Sequence, residues 1–234
     1  MNFVFDIDGT LTPSRGLMDS NFKEWFLRFI KQHSVILVTG SDLTKTLEQV
    51  GIDIVENVEY CFNCSGNVAM YKGKTIFRRE FTLPSDVESY LNEQLSNSPY
   101  PNRCGIHIED RRYMVNFSVV GRGANKEQRI QYYEWDSING ERIRVADEIN
   151  RRWSNIQAAV GGETGIDIFD QGCDKSQVVE YLHQNTIFFG DRMDTTGNDY
   201  TLMRAIIDNE LGRCYNVNNW TETQKELLRL CPNV

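Results

Sequence analysis

Phe3-Val4-Phe5-Asp6-Ile7-Asp8-Gly9-Thr10-Leu11-Thr12 is the stretch on which the fold turns. Three apolar residues run without a break into two carboxylates and a glycine. A short apolar run closed by polar residues reads as a parallel strand buried on both faces. In open α/β sheets ligands bind beyond the carboxyl ends of the strands, so Asp6 and Asp8 stand where chemistry is done. Strand alternation turns residues 6 and 8 toward one side if the extended geometry continues. Two adjacent carboxylates repel unless a cation separates them, and hard oxygen donors suit Mg2+. Gly9 lets the backbone bend and present N–H groups to an anion. The plainer alternative is that Asp6 and Asp8 cap a helix and fill a turn.

Working outward, Phe22, Trp25, Phe26, Phe29 and Ile30 recur at helical spacing over residues 20–32. Residues 35–38 form a second apolar strand, closed by Thr39-Gly40-Ser41-Asp42, and an amphipathic segment follows to about residue 50. This β–α–β–α order predicts a parallel sheet. Residues 104–120 instead suggest a hairpin about the polar turn Glu109-Asp110-Arg111-Arg112, followed by charged helices at 125–136 and 141–153 and strands at 156–160 and 166–169. Grouped strands and helices predict an α+β unit with an antiparallel sheet. The parallel style resumes with a helix at 176–184 and the apolar strand 186–189. The expected organisation is therefore an α/β core of residues 1–80 and 173–234 interrupted by an inserted α+β domain at 81–172. Hinges are expected near 80–84 and 171–174, where Leu83-Pro84 and Gln171-Gly172 punctuate the pattern.

Composition narrows the class. Hydrophobic residues make up 40% and charged residues 25% of the 234, with 5 Pro and 17 Gly, which excludes disordered and collagenous chains. With 25 Lys+Arg against 33 Asp+Glu, the net charge of −8 argues against a nucleic-acid partner, because duplex binding rests on basic residues neutralising phosphates. Of six Cys only Cys61 and Cys64 form a C-x-x-C, and no second pair follows at zinc-ribbon spacing. A zinc or redox role for this pair competes with the simpler one of small buried hydrophobes. The N-terminus has no basic leader, and no run approaches the ~18 apolar residues of a membrane span. A cytoplasmic protein without a membrane partner is expected.

A second acidic group ends the strand at 186–189: Gly190-Asp191, then Gly197-Asn198-Asp199. Lys175 precedes that strand by one helical segment, and Thr39 and Ser41 end the strand at 35–38. Carboxylates for a cation, with a lysine and hydroxyls for phosphoryl oxygens, make a phosphoryl-transfer constellation. For Asp191 and Asp199 helix capping is the alternative. In this order, the motifs Asp6-x-Asp8-x-Thr10, Thr39-Gly40-Ser41, Lys175 and Gly190-Asp191…Asn198-Asp199 resemble the four motifs of the haloacid dehalogenase superfamily. The resemblance implies a Rossmann-like core and casts Asp6 as the nucleophile that forms an aspartyl-phosphate. Asp8 becomes the general acid/base. Mg2+ would be held by Asp6, the main-chain carbonyl of Asp8, and Asp191. Lys175 and either Ser41 or Thr39 would steady the phosphoryl group, with Asn198 and Asp199 in support.

Within that superfamily, the run from Ile108 to Arg122, the continuation Glu127-Gln128-Arg129-Ile130, and Val160-Gly161-Gly162…Asp167-Ile168-Phe169 resemble the cap of eukaryotic-type phosphomannomutases. That likeness places substrate-binding arginines at Arg15, Arg111, Arg122 and Arg129, and a sugar-binding carboxylate at Asp167. Guanidinium forks suit a phosphate dianion, although most arginines on a charged surface are simply solvated. The resemblance implies a Mg2+-dependent mutase that interconverts mannose 6- and mannose 1-phosphate, a hexose 1,6-bisphosphate activator, and a homodimer through the cap. A capped sugar-phosphate phosphatase, an inactive sugar-phosphate binding module and a phosphoacceptor domain are the alternatives. Three departures bear on substrate. Gly165 stands where the family has serine, Asp110-Arg111-Arg112-Tyr113 replaces Phe-Arg-Asn-Gly, and Asn63-Cys64-Ser65-Gly66 replaces Pro-Glu-Asn-Gly. An acidic segment after Asp199 is also missing, so no second metal site is expected.

Overall fold

A computed structural model describes residues 2–232. The chain divides into two compact units, Met1–Arg78 with Lys175–Val234, and Arg79–Asp174. The first is built on a seven-stranded sheet. Its strands are β1 (Asn2–Phe5), β2 (Ser34–Val38), β3 (Tyr60–Asn63), β4 (Val68–Tyr71) and β5 (Lys74–Arg78), joined late in the chain by two more beside β1. Between β1 and β3 lie α1 (Ser20–Ile30), α2 (Leu43–Val50) and α3 (Ile52–Asn57). Helix α1 starts where the Asp19 carboxylate accepts from the N–H groups of Asn21 and Phe22, and it buries Phe22, Trp25, Phe26, Phe29 and Ile30. Alternation along β1 splits the core in two. Phe3 and Phe5 pack with α1 on one face, and Val4 packs with Ile36, Val38 and Phe188 on the other.

The second unit carries α4 (Ser85–Asn97), β6 (Ile108–Asp110), β7 (Val115–Phe117), α5 (Lys126–Asn139), α6 (Glu141–Arg152), β8 (Ile156–Gly161) and β9 (Gly165–Asp170). Its sheet runs β6-β7-β9-β8, antiparallel throughout. Val115, Phe117, Ile156, Ala158, Ile166 and Ile168 face a single core shared with Val87, Tyr132, Val145 and Ile149 of the helices. The chain then returns to the first unit through β10 (Thr186–Gly190), α7 (Tyr200–Asp208), β11 (Gly212–Asn216) and α8 (Trp220–Leu230). The first sheet thereby takes the order β11-β10-β1-β2-β3-β4-β5.

Local readings shift in three places. Glu109 and Asp110 belong to β6, not to the hairpin turn, which falls later, where Arg112 adopts a positive φ of 66°. The helix expected at 176–184 is a 3-10 segment, Lys175–Tyr181. The hairpin β4–β5 extends the parallel sheet with antiparallel strands, and every residue of β5 is exposed, so no apolar alternation marks it in the sequence. All six cysteines are free, and burial pushes the Cys61 thiol up to about 12, which suits a buried hydrophobe and not a redox pair.

Candidate active site

Strand register assembles the site before any side chain is considered. Phe5 pairs with Phe189 across β1 and β10, so the next residues, Asp6 and Gly190-Asp191, emerge side by side at the carboxyl ends. The Asp6 N–H continues the ladder by donating to the Phe189 carbonyl at 2.9 Å. Beyond it the chain folds onto itself, with the N–H groups of Thr10, Leu11 and Thr12 all directed at the Ile7 carbonyl. Gly9 makes this turn with φ +80°. A Cβ there would lie 2.8 Å from Cγ of Asp191, so glycine is what lets the turn close against that carboxylate.

Asp6, Asp191 and Asp199 present carboxylate oxygens that all lie within 4.8 Å of one another. Lys175 is wholly buried and ties two of them together: its Nζ donates to Asp6 Oδ1 at 2.5 Å and to Asp199 Oδ1 at 2.8 Å. Burial opposes the charge on Lys175, but Asp199 and Asp6 outweigh it and hold the ammonium above its ordinary range. Burial raises Asp6 well above the usual carboxylate range; Lys175 pulls against this, and Asp199 and Asp191 push further upward. Asp191 is pushed up to about 7, first by burial and then by Asp199. With all three carboxylates ionised, one ammonium leaves two negative charges in excess in a buried, all-oxygen cluster, and burial holds protons there unless a cation takes their place. That donor set fits a hard divalent cation.

The Asp8 carboxylate is not one of the three that group together, because the turn at Ile7 ends the strand alternation. The Asp8 carboxylate faces a cradle of its own. Its Oδ1 accepts from Gln49 Nε2 at 2.9 Å and from the Arg15 main-chain N–H at 2.5 Å, and its Oδ2 accepts from Ser41 Oγ at 3.2 Å. Thr39 Oγ1 in turn accepts the Ser41 N–H at 3.0 Å. Arg15 adopts a left-handed φ of 55°, which aims its N–H at Asp8. Asp199 stands at the start of α7 but makes no side-chain capping bond. Its Oδ2 accepts the Arg192 N–H at 3.1 Å, and Gly190 leaves room for it, since a Cβ there would meet that Oδ2 at 2.7 Å. Capping is therefore not what Asp199 does. Asn198 lies half-buried on the loop before it.

In the second unit, cross-strand pairing lines up Glu109, Asn116 and Asp167. Asn116 alternates with the core-facing Val115 and Phe117 and Asp167 with Ile166 and Ile168, so this polar row lies on the face away from the core. Asn116 Nδ2 donates to Asp167 Oδ1 at 2.7 Å. Two glycines clear the space: a Cβ on Gly165 would lie 2.5 Å from Asn116 Nδ2, and one on Gly161 would lie 2.5 Å from Asp167 Oδ2. Arg111 and Arg122 converge on one carboxylate oxygen. Glu109 Oε2 receives Arg111 Nε at 2.8 Å and Nη2 at 2.7 Å, and it lies 3.0 Å from Arg122 Nε. Arg111 Nη1 lies 3.9 Å from Asp167. Arg129 donates to Thr164 Oγ1 and Glu163 Oε2, both at 3.1 Å, from the first turns of α5, which an Asn125–Gln128 capping box anchors. None of these three is a solvated surface arginine: their side chains are 8%, 15% and 10% exposed.

Glu109 is thus the acid that holds Arg111, while the Asp110 carboxylate, exposed at the end of β6, accepts the Arg112 N–H at 2.6 Å. Gln49, Glu109 and Asn116 escaped the sequence reading. Buried polar residues on an amphipathic helix or strand look like solvated positions until packing places them. The one available signal was alternation, which put Asn116 opposite an apolar face. Among the described residues no helix is long and apolar enough to cross a membrane.

Comparison with known proteins joins this geometry to a family. The sequence model of eukaryotic phosphomannomutase matches residues 22–231. The phosphomannomutase of Galdieria sulphuraria is 31% identical over 211 residues, covering 86% of this chain and 84% of that protein. That of Saccharomyces cerevisiae is 28% identical, covering 85% and 83%. Among solved structures, the C-terminal domain of Candida albicans trehalose-6-phosphate phosphatase superposes with a TM-score of 0.66 at 13% identity, covering all of this chain and 92% of that one. A haloacid dehalogenase-like hydrolase from Bacteroides thetaiotaomicron gives 0.58 at 15% identity, over 98% of each chain. These distant structures share the fold. By the match across nearly its whole length, the chain belongs to the eukaryotic phosphomannomutase family.

Proposed function

We propose that this protein is a phosphohexomutase that interconverts mannose 6-phosphate and mannose 1-phosphate through an aspartyl-phosphate and a hexose 1,6-bisphosphate. The observation that carries the proposal is that the two carboxylates have different hydrogen-bond partners. Asp6 is tied to Lys175 beside Asp191 and Asp199, while Asp8 is held apart by Gln49, Ser41 and the Arg15 N–H. An Asp6 oxygen bonds to phosphorus as the bond to the departing sugar oxygen breaks, and Asp8 gives its proton to that oxygen. In the second half-reaction the ionised Asp8 takes the proton of a sugar hydroxyl. That hydroxyl oxygen bonds to phosphorus and Asp6 is released.

Mg2+ would be held by Asp6, Asp191 and the main-chain carbonyl of Asp8, and would supply positive charge to the phosphoryl oxygens. Lys175, with Ser41 or Thr39, steadies the group in transit. Arg15, Arg111, Arg122 and Arg129 serve substrate phosphate, and Asp167 serves a sugar hydroxyl. Guanidinium groups give a dianion two-point hydrogen bonding. A homodimer through the second unit and a cytoplasmic location accompany this proposal on family likeness, and sedimentation tests the first.

The test is incubation with Mg2+ and mannose 1-phosphate, with and without a catalytic amount of glucose 1,6-bisphosphate, following mannose 6-phosphate and free phosphate. Bisphosphate-dependent isomerisation with little phosphate release is the expected result. Steady phosphate release without isomerisation replaces the mutase with a phosphatase, and inactivity of both kinds replaces it with a binding module.

A further inference from the structure

We propose that Gln49 is a positioning residue for Asp8, and that its side-chain amide sets where the general acid/base delivers and collects its proton. The inference rests on the functional reading above and adds to it a residue that no motif marks.

Gln49 sits at the C-terminal end of α2, 2% exposed and distant in sequence from the Asp6–Thr12 turn. Both hydrogens of Nε2 are engaged there. One goes to Asp8 Oδ1 at 2.9 Å and the other to Thr12 Oγ1 at 3.1 Å, and the Thr12 hydroxyl passes its own hydrogen to the Ile7 carbonyl at 3.2 Å. The main chain of Gln49 holds the same segment a second time, because its carbonyl accepts the Met18 N–H at 2.8 Å. One residue therefore fastens the catalytic turn at Asp8 and Thr12 and also the end of the loop that carries the Arg15 N–H.

The amide oxygen gives an independent indication. Gln49 Oε1 is buried and has no hydrogen-bond partner. Flipping the amide would set that oxygen against the Asp8 carboxylate and the Thr12 hydroxyl oxygen, so the observed orientation is the one that aims donors at Asp8. A buried orphan acceptor is a cost that an apolar residue of the same length avoids. An amide kept at that cost, with both its donors spent on the turn, is placed for orientation and not for packing.

Leaving-group chemistry separates this role from a structural one. Sugar phosphates need a proton on the departing oxygen, whereas p-nitrophenolate leaves without one. Gln49→Met keeps the length and burial of the side chain and removes the donors. With mannose 1-phosphate and glucose 1,6-bisphosphate, the expected result is a kcat lower by about 10- to 100-fold, the scale on which a misplaced acid/base loses its contribution, at an unchanged KM. With p-nitrophenyl phosphate, the burst of nitrophenolate that accompanies phosphorylation of Asp6 keeps its wild-type rate. Gln49→Glu, which sets a carboxylate against Asp8, reproduces the loss with the same substrate split, and thermal unfolding of both variants shows the fold intact.

Equal losses on the two substrates, or full mutase activity in a folded Gln49→Met protein, overturn the inference while leaving the functional proposal standing. Inactivity of the wild-type protein with both substrates defeats the functional proposal and takes this inference with it.

Discussion

Replacing Gly165 by serine restores the residue the family resemblance leads one to expect, and the structure argues that this chain will not accept it. A Cβ at position 165 would lie 2.5 Å from Asn116 Nδ2, 3.1 Å from its Oδ1 and 3.2 Å from its Cγ, so the whole amide must move. Movement breaks the 2.7 Å bond to Asp167, a buried donor on a buried carboxylate. Losing a hydrogen bond to a charged group costs about 1.5–3 kcal/mol. Forcing extra volume into a packed site adds about 1–3 kcal/mol. Removing a glycine from the unfolded chain returns about 0.4–1 kcal/mol. The net destabilisation is about 2–5 kcal/mol, which lowers Tm by roughly 6–15 °C for a chain of this size.

A double-mutant cycle assigns the cause. Asn116→Ala removes the obstructing amide, so adding Gly165→Ser to it should cost almost nothing, giving a coupling of about 2–5 kcal/mol, the full cost of the serine in the wild-type background. Calorimetric or denaturant unfolding of the four proteins reads both quantities. A serine variant with wild-type Tm, or costs for the two substitutions that simply add, would refute the packing argument and return the missing serine to an unexplained sequence difference.

Four further outcomes are expected. Asp6→Asn and Asp8→Asn should each abolish mutase turnover, and only Asp8→Asn should retain a p-nitrophenolate burst; a burst from Asp6→Asn would remove Asp6 as nucleophile. Lys175→Met leaves Asp6 and Asp199 facing each other without their shared ammonium and should lower stability by about 3–5 kcal/mol. Mg2+ should raise Tm more in that variant than in wild type, because loss of the competing ammonium lowers Kd for the cation and ligand stabilisation grows with [L]/Kd, and an equal rise in both would count against the cluster as a cation site. Arg122→Ala should weaken sugar-phosphate use while sparing p-nitrophenyl phosphate, and parallel losses would dismiss Arg122 from phosphate recognition. Glu109 carries the acid-pH expectation. Burial works against its charge but Arg111 and Arg122 prevail, holding it below its ordinary 4.5. Its contribution to stability is therefore present above about pH 4.5 and lost as the pH falls through the depressed value. Glu109→Gln should flatten the acid limb of the stability profile, and an unchanged limb would contradict this.

Much of the first unit was legible because its information is local. A doubly buried strand needs an uninterrupted apolar run, so residues 3–5, 35–38 and 186–189 announce themselves, and the carboxylates or hydroxyls that follow their ends need no long-range knowledge to be noticed. The hairpin β4–β5 was not legible, because an edge strand with every residue of β5 exposed has no periodic burial to impose a pattern. The segment after Lys175 shows helical apolar spacing yet forms a 3-10 helix, since spacing over two turns does not distinguish the two. In the second unit, the arginines were found through likeness to a family, whereas the partner that draws two of them together was missed. Glu109 reads as a turn residue until β6 pairs with β7.

By itself the sequence determined which chemistry is on offer: a carboxylate pair after one strand, a second acidic group after another, a lysine ahead of it, and guanidinium groups in the intervening domain. Only the tertiary structure decided which of those groups meet. Register between β1 and β10 brings Asp6 beside Asp191, and the turn at Ile7 sends Asp8 to a different set of donors. Lys175 makes Asp199 a member of the buried cluster in place of a helix cap. Gln49 and Asn116 gain their meaning from neighbours far along the chain. The physical reason is that strand and helix periodicities are properties of neighbouring residues, whereas hydrogen-bond partners and buried charge balance are set by residues that meet only when the sheet has formed.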